Sequence, residues 1–201
     1  CHQRRRVTLA GGAVQVAGEI AELADAVIAA AGLGPAALGG IGIGIPGWID
    51  RWTGELIFAP KLAAFDSRWL RDRLCASLPG PVCFGCDPHV AALGELWAGA
   101  GRSVANFVMI TLGTGIGCGL VIEGQLYRGQ HGFAPEFGHM IVAEHSEIAC
   151  ACGIPGCLES LASGPAIGRA GQRAAQEGRG AHLLERVAGA VGAISAETVV
   201  A

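Results

Sequence analysis

Between Glu136 and Glu159 one imidazole and three thiols fall within a short span. The chain reads Glu136-Phe137-Gly138-His139, a ten-residue connection, then Cys150-Ala151-Cys152-Gly153-Ile154-Pro155-Gly156-Cys157-Leu158-Glu159. A tetrahedral Zn²⁺ takes four nitrogen or sulfur ligands, and three cysteines with one histidine form one of its structural sets. Cys150 and Cys152 are near neighbours in sequence. A turn over Gly153 to Gly156 brings Cys157 back beside them, and His139 closes the site from the preceding segment. The alternative is a disulfide between two of the three thiols, with one cysteine left over and His139 an ordinary polar residue. The tight spacing favours zinc on His139, Cys150, Cys152 and Cys157.

A chain of 201 residues has ample material for a core, as one large domain or two small lobes. Its hydrophobic share of 51% against 15% charged residues excludes a disordered polymer. The net charge of -3 offers no general attraction to nucleic acid or membrane. No apolar run reaches the roughly 18 residues of a membrane span. No secretory core follows the opening Cys1-His2-Gln3-Arg4-Arg5-Arg6, whose arginines read as a solvated tail or, alternatively, as a nucleic-acid arm. Eight cysteines, three of them grouped as ligands, suit a reducing compartment, and a cytoplasmic location is expected.

Taken in order, Val16, Ile20, Leu23, Val27 and Ala31 recur at helical spacing between Val14 and Ala31. Gly40 to Ile45 reads as a buried strand with isoleucines on one face and glycines on the other, a sign that something packs close to the backbone. Asp50 to Gly54 predicts a hairpin-type turn before Leu56-Ile57-Phe58. Ser67 to Leu78 predicts a second amphipathic helix, and Val82-Cys83-Phe84 a short strand. A helix from Pro88 to about Ala98 follows, so Asp87 stands at its N-cap with Pro88 in the first turn. Asp87 is therefore a helix cap, a general base at the carboxyl end of a strand, or both.

Phe107 to Leu112 predicts a strongly apolar strand. It turns through Gly113-Thr114-Gly115-Ile116-Gly117-Cys118-Gly119 and returns as Leu120-Val121-Ile122, with Gln125-Leu126-Tyr127 after a Glu123-Gly124 turn. Such a hairpin can present backbone N–H groups and the Thr114 hydroxyl to a phosphate, or serve structure alone. No helix follows the glycines, so it is not a dinucleotide fingerprint. Helices are expected over Leu158 to Gln176, interrupted at Ser163-Gly164-Pro165, and over Ala181 to Val191. Another starts after Ser195.

This order of pieces resembles the ROK family (repressor, open reading frame, kinase), which includes bacterial glucokinases. The resemblance rests on Gly42-Ile43-Gly44-Ile45-Pro46-Gly47, on Asp87 with Ala91-Ala92-Leu93-Gly94-Glu95, on Gly99-Ala100-Gly101, and on Leu112-Gly113-Thr114-Gly115-Ile116-Gly117. The Glu136-Phe137-Gly138-His139 and Cys150-to-Glu159 motifs complete it. It implies an α/β, two-lobed actin/hexokinase-like (ribonuclease H-like) sugar-kinase fold, with ATP between the lobes and a sugar in the cleft. The lobes are expected over 1–103, with the catalytic Asp87, and 104–201, with the phosphate hairpin and zinc loop. By the same resemblance Asp87 takes a proton from the sugar hydroxyl, and Glu136, His139 and Glu159 hold sugar hydroxyls, His139 also ligating zinc. Gly113, Thr114, Gly115, Gly117 and Gly119 belong to the loop that faces ATP phosphates.

The implied reaction is ATP plus a hexose to hexose 6-phosphate, with Mg²⁺ at the phosphates and structural Zn²⁺. The substrate is glucose or an N-acetylhexosamine, and the assembly a homodimer or homotetramer. The other branch of the family implies a sugar-sensing transcriptional repressor or a non-catalytic sugar binder, and only that reading brings in nucleic acid. Three positions depart from the family pattern: Lys61 and Cys86 stand where Asn is usual, and Pro135 where Gly is usual. The family's N-terminal phosphate loop and its adenosine-contacting C-terminal segment are not found in these residues. The expectation from that is a fragment with a sound sugar site and poor catalysis.

Overall fold

Ile41 and Ile43 alternate with Gly42 and Gly44, and this alternation decides how the first part of the molecule packs. In the computed structural model, which describes residues 1–6, 12–34, 37–50, 52–58 and 67–201, strand β1 (Ile41–Ile45) pairs in parallel with β4 (Val82–Cys86). Side chains alternate across a strand, so the isoleucines share one face. There they meet helices α1 (Gly12–Ala30) and α2 (Ser67–Ser77): Ala17, Leu70, Leu74 and Leu78 form a buried cluster against Ile41, Ile43, Val82 and Phe84. On the opposite face the glycines Gly44 and Gly85 are approached by Val90, in the first turn of helix α3 (Asp87–Ala98). A Cβ on Gly85 would come within 2.9 Å of Val90 Cγ2, and one on Gly44 within 3.8 Å of Val90. The close approach expected at the glycine face is therefore made by Val90.

Strands β2 (Trp48–Ile49) and β3 (Leu56–Phe58) form an antiparallel pair. Asp50 shapes the turn between them, its Oδ1 accepting the N–H groups of Trp52 at 2.8 Å and Thr53 at 2.7 Å. These bonds hold the Asp50 carboxyl below its ordinary value, the Thr53 N–H contributing most. Trp48 stacks on Phe133 with ring centroids 5.2 Å apart. Lys61, one of the departures noted above, lies outside the described residues.

Strands β5 (Phe107–Leu112), β6 (Ile116–Ile122) and β7 (Gln125–Tyr127) form an antiparallel sheet in that order. Here the structure corrects the sequence reading. The turn expected over 113–119 is only three residues, and β6 begins at Ile116 instead of Leu120. Gly117 and Gly119 are ladder residues opposite Thr111 and Met109. Glycine is a weak strand former and reads locally as turn, but pairing with the apolar β5 draws it into the ladder.

Helices α4 (Leu158–Ala162) and α5 (Gly164–Gln176) are separated at Ser163, as the Ser-Gly-Pro interruption predicts. Helix α6 (Ala181–Arg186) is shorter than expected, because Ala188 and Gly189 take positive φ and the Gly189 N–H turns back to Leu184 O at 2.8 Å. Helix α7 (Ala196–Val200) starts at a capping box on Ser195. Ala175, Leu183 and Ile194 form the buried cluster of this region.

The chain divides into two compact units, Cys1–Val90 with Arg128–Phe133, and Ala91–Tyr127 with Ala134–Ala201. No helix among the described residues is long and apolar enough to cross a membrane.

Candidate functional site

Two backbone segments of the second unit are pinned together before any ligand is considered. Leu158 N–H donates to Met140 O at 2.9 Å, Val142 N–H donates to Gly156 O at 3.0 Å, and Ile141 bridges Cys157. The turn at Gly156 has φ +77°, and a Cβ there would sit 2.1 Å from Ala143 O. Only glycine fits both demands. This pairing sets His139, at the end of a 3₁₀ turn over Phe137–His139, beside Cys157 at the N-terminus of α4. A second turn, closed by Gly153 N–H to Cys150 O at 3.0 Å, brings Cys150 and Cys152 alongside.

The result is one cluster. The ligating atoms of His139, Cys150, Cys152 and Cys157 all lie within 4.8 Å of one another. Cys152 and Cys157 Sγ are 3.6 Å apart, and Cys150 Sγ is 3.5 Å from His139 Nδ1. At ordinary Zn–S and Zn–N lengths, a zinc tetrahedron has edges of about 3.8 Å between sulfurs and about 3.5 Å between sulfur and nitrogen. A disulfide needs its sulfurs at about 2.05 Å. All eight cysteines are free thiols, and the donor set fits a tetrahedral metal. Burial pushes the Cys157 thiol up to about 12, with Cys152 and Cys150 adding to the effect.

The imidazole of His139 is used on both sides. Nδ1 faces the thiols, while Nε2 lies 3.9 Å from Glu136 Oε2, within ion-pair reach but too far for a hydrogen bond. Glu136 and His139 both keep part of their surface in solvent, 41% and 30%. Both groups are thus reachable from solvent. Cys118, buried in β6, lies close enough to Glu136 that, after burial itself, this carboxylate helps to raise its thiol. Glu136 follows a cis Ala134–Pro135 peptide, Pro135 being another of the three departures.

Glu159, in the first turn of α4, does not stand apart from the glycine hairpin. Its Oε2 accepts the Ile116 N–H at 2.8 Å. Gly138 packs on the same residue, a Cβ there falling 2.2 Å from Ile116 O. Gly164 N–H donates to Gly113 O at 2.8 Å. The structure thus brings Glu136, His139 and Glu159 onto elements that touch the hairpin. Of the predicted phosphate residues, Gly113, Thr114 and Gly115 form its tip, while Gly117 and Gly119 lie within β6. Gly113 N–H is spent on Gly115 O at 2.9 Å, and Gly117 N–H on Thr111 Oγ1 at 3.1 Å. Among the described residues, Thr114 and Gly115 N–H make no such bond. Sequence reasoning missed Gly138, Gly164 and Thr111. For Gly138 the glycine inside an otherwise chemical motif was the available signal; for Thr111 there was none.

Asp87 belongs to the first unit. It opens α3 directly after the carboxyl end of β4, exposed, with Pro88 behind it and half-buried Cys86 before it. A carboxylate suits this helix end, where backbone N–H groups point outward.

The glucokinase of Halalkalibacterium halodurans is 42% identical over 130 residues, which cover 65% of this chain and 39% of that protein. The xylose repressor of Caldicellulosiruptor bescii is 36% identical over 137 residues, 66% of this chain and 33% of the repressor. The chain therefore spans about two fifths or less of these curated relatives' length. The crystal structure of a ROK family glucokinase from Streptomyces griseus in complex with glucose and AMPPNP matches with a TM-score of 0.70 at 36% identity, covering 88% of this chain and 57% of that one. The actin/hexokinase-like α/β fold of ROK sugar kinases is the fold of this chain. The ROK family model matches residues 14–200, and the chain belongs to the ROK family.

Proposed function

We propose that the protein is an ATP-dependent hexose kinase of the glucokinase type, transferring a phosphoryl group to the 6-hydroxyl, with Mg²⁺ accompanying the nucleotide. The observation that supports this most is the joining of Glu136, His139 and Glu159 to the Gly113–Gly115 tip within one unit. Hydroxyl acceptors and bare backbone N–H groups adjoin there, as a sugar phosphorylation site requires. Phosphoryl transfer depends mainly on positioning and on stabilised phosphate charge. In this proposal the tip N–H groups of Thr114 and Gly115 face phosphate oxygens, and Glu136, His139 Nε2 and Glu159 accept from or donate to hexose hydroxyls. Asp87 is the general base, by its motif and by its place after a strand's carboxyl end. The lobes of this reading are 1–103 and 104–201, the compartment is the cytoplasm, and the assembly is a homodimer or homotetramer. The S. griseus neighbour, which holds glucose and AMPPNP, supports glucose and ATP as the pair to test first.

Zinc is proposed for His139, Cys150, Cys152 and Cys157. Four protein ligands leave no open position, so the metal would fix the segments that bear Glu136 and Glu159 and take no part in the chemistry.

The repressor branch is favoured by one observation: a xylose repressor matches over a similar length, 66% of this chain against 65% for the glucokinase. The glucokinase match is the stronger of the two in identity. A coupled assay with glucose, ATP and Mg²⁺, on wild type and Asp87→Asn, separates the readings. Kinase chemistry predicts turnover, low in keeping with the single phosphate loop found in these residues, that the substitution abolishes, with glucose affinity kept within roughly tenfold, as for a residue acting in the transition state. Glucose binding with no turnover, together with retention of a DNA fragment, would move the assignment to the repressor branch.

A further inference from the structure

We infer that Glu159 is also a positioning residue for the phosphate hairpin, so that one carboxylate links the hexose site to the Gly113–Gly115 tip. The hexose half of this statement rests on the function proposed above; the positioning half rests on geometry alone. Ile116 is the residue by which the tip joins β6, and both of its backbone groups are engaged from the motif segments. Its N–H donates to Glu159 Oε2 at 2.8 Å, and its carbonyl is pressed by the backbone of Gly138. On the other side of the tip Gly113 O is held by Gly164 N–H. Glu159 lies in the first turn of α4, Gly164 follows just past its end, and the residue at its N-cap is Cys157 of the thiol cluster, so the same short helix serves cluster and hairpin.

The two oxygens of Glu159 have separate tasks. Oε2 is committed to Ile116, while Oε1 accepts no hydrogen bond among the described residues. A hydroxyl on Oε1 would stiffen the carboxylate and, through Oε2, the turn into β6. Gly115 shows how narrow the arrangement is. A Cβ there would lie 2.4 Å from Glu159 Oε2, yet the backbone of Gly115 is not in the left-handed region. Alanine at 115 is therefore free of backbone strain and meets only the movable end of one side chain. Its specific effect is to push the carboxylate off Ile116.

The test compares wild type, Glu159→Ala, Glu159→Gln and Gly115→Ala in the metal-loaded chain. Amide exchange at Ile116 is read by NMR, glucose affinity by calorimetry, and metal content by elemental analysis. Losing a hydrogen bond to a charged acceptor should speed Ile116 exchange by about tenfold or more in Glu159→Ala and Gly115→Ala. Metal content and exchange at Val142 should stay at their wild-type values. Glu159→Gln, whose amide oxygen still accepts, should stay within about threefold of wild type. Glucose should bind Gly115→Ala about tenfold more weakly, as expected when a charged hydroxyl partner is displaced. Unchanged Ile116 exchange in Glu159→Ala overturns the positioning role. A fast Ile116 with wild-type glucose affinity in Gly115→Ala overturns the link to the hexose. A wild-type chain that takes no glucose but shows the Ile116 responses overturns the hexose reading and supports the positioning role.

Discussion

Around β1 and β4, Leu70, Leu74, Leu78 and Ala17 are almost wholly buried, whereas across the thiol-bearing segment the apolar side chains face water. Met140, Ile141, Val142, Ile148 and Ile154 are 38% to 58% exposed. Both regions use glycine for close approach, but to different ends. Gly44 and Gly85 make room for the apolar Val90, while Gly115, Gly138 and Gly156 make room for a carboxylate and two carbonyls. One region is ordered by removing hydrocarbon from water, which needs no ligand. The other is ordered by a few backbone bonds and by four donors drawn together. Its order should then depend on what those donors hold.

The largest effect expected is that of metal removal. Elemental analysis of protein purified without added metal should give about one zinc per chain, the capacity of a single four-ligand set. Chelation, or His139→Ala, should release the amides of Val142 and Leu158 to fast exchange, since a structural metal's binding energy is folding energy for the segment that wraps it. The amides that pair β1 with β4 should keep their protection. Equal protection at Val142 with and without metal would dissolve the contrast.

The second effect is smaller and runs the opposite way. Leu74→Ala, at a side chain 1% exposed, should cost about 2–5 kcal/mol by urea unfolding. Ile141→Ala, at 58% exposure, should fall within about 0.5 kcal/mol of wild type. Comparable losses would mean that the thiol segment has an apolar core after all.

What the sequence disclosed follows the same division. The alternation of Ile41 to Ile45 and the apolar side of the second helix, Trp69, Leu70 and Leu74, are short-range periodic patterns; Ile41, Ile43, Leu70 and Leu74 pack as expected, whereas Trp69 is 37% exposed and Leu78 joins the cluster instead. The donor spacing of Cys150, Cys152 and Cys157 predicted a cluster for a similar reason, because chemistry restricts what such a set can do. The start of β6 was not legible, since glycine's local preference for turns is overridden only by the partner strand. The bond from Ile116 to Glu159 spans 43 positions, and no local rule reaches so far. His139 reads from the sequence as a candidate ligand, but that its Nδ1 is the nitrogen turned to the thiols is visible only in the folded chain.

The smallest effect belongs to a charged turn inside the apolar unit, and it sharpens the contrast by its modesty. Asp50 Oδ1 accepts two backbone N–H groups and the Thr53 hydroxyl, and these bonds favour the ionised form. A carboxyl whose native value is depressed adds stability that is present above its unfolded value, about 3.9. That contribution is lost as pH falls through the lower native value, because the unfolded chain then binds its proton more readily than the native one. Asp50→Asn keeps an acceptor oxygen but removes the charge, so wild type should be slightly the more stable of the two at pH 7. The difference should shrink below about pH 4 and vanish once both forms are neutral. Urea unfolding of the pair at pH 7 and pH 3 reads it directly. A gap that persists unchanged at pH 3 would assign the effect to side-chain shape, and one that widens there would reverse the sign argued here.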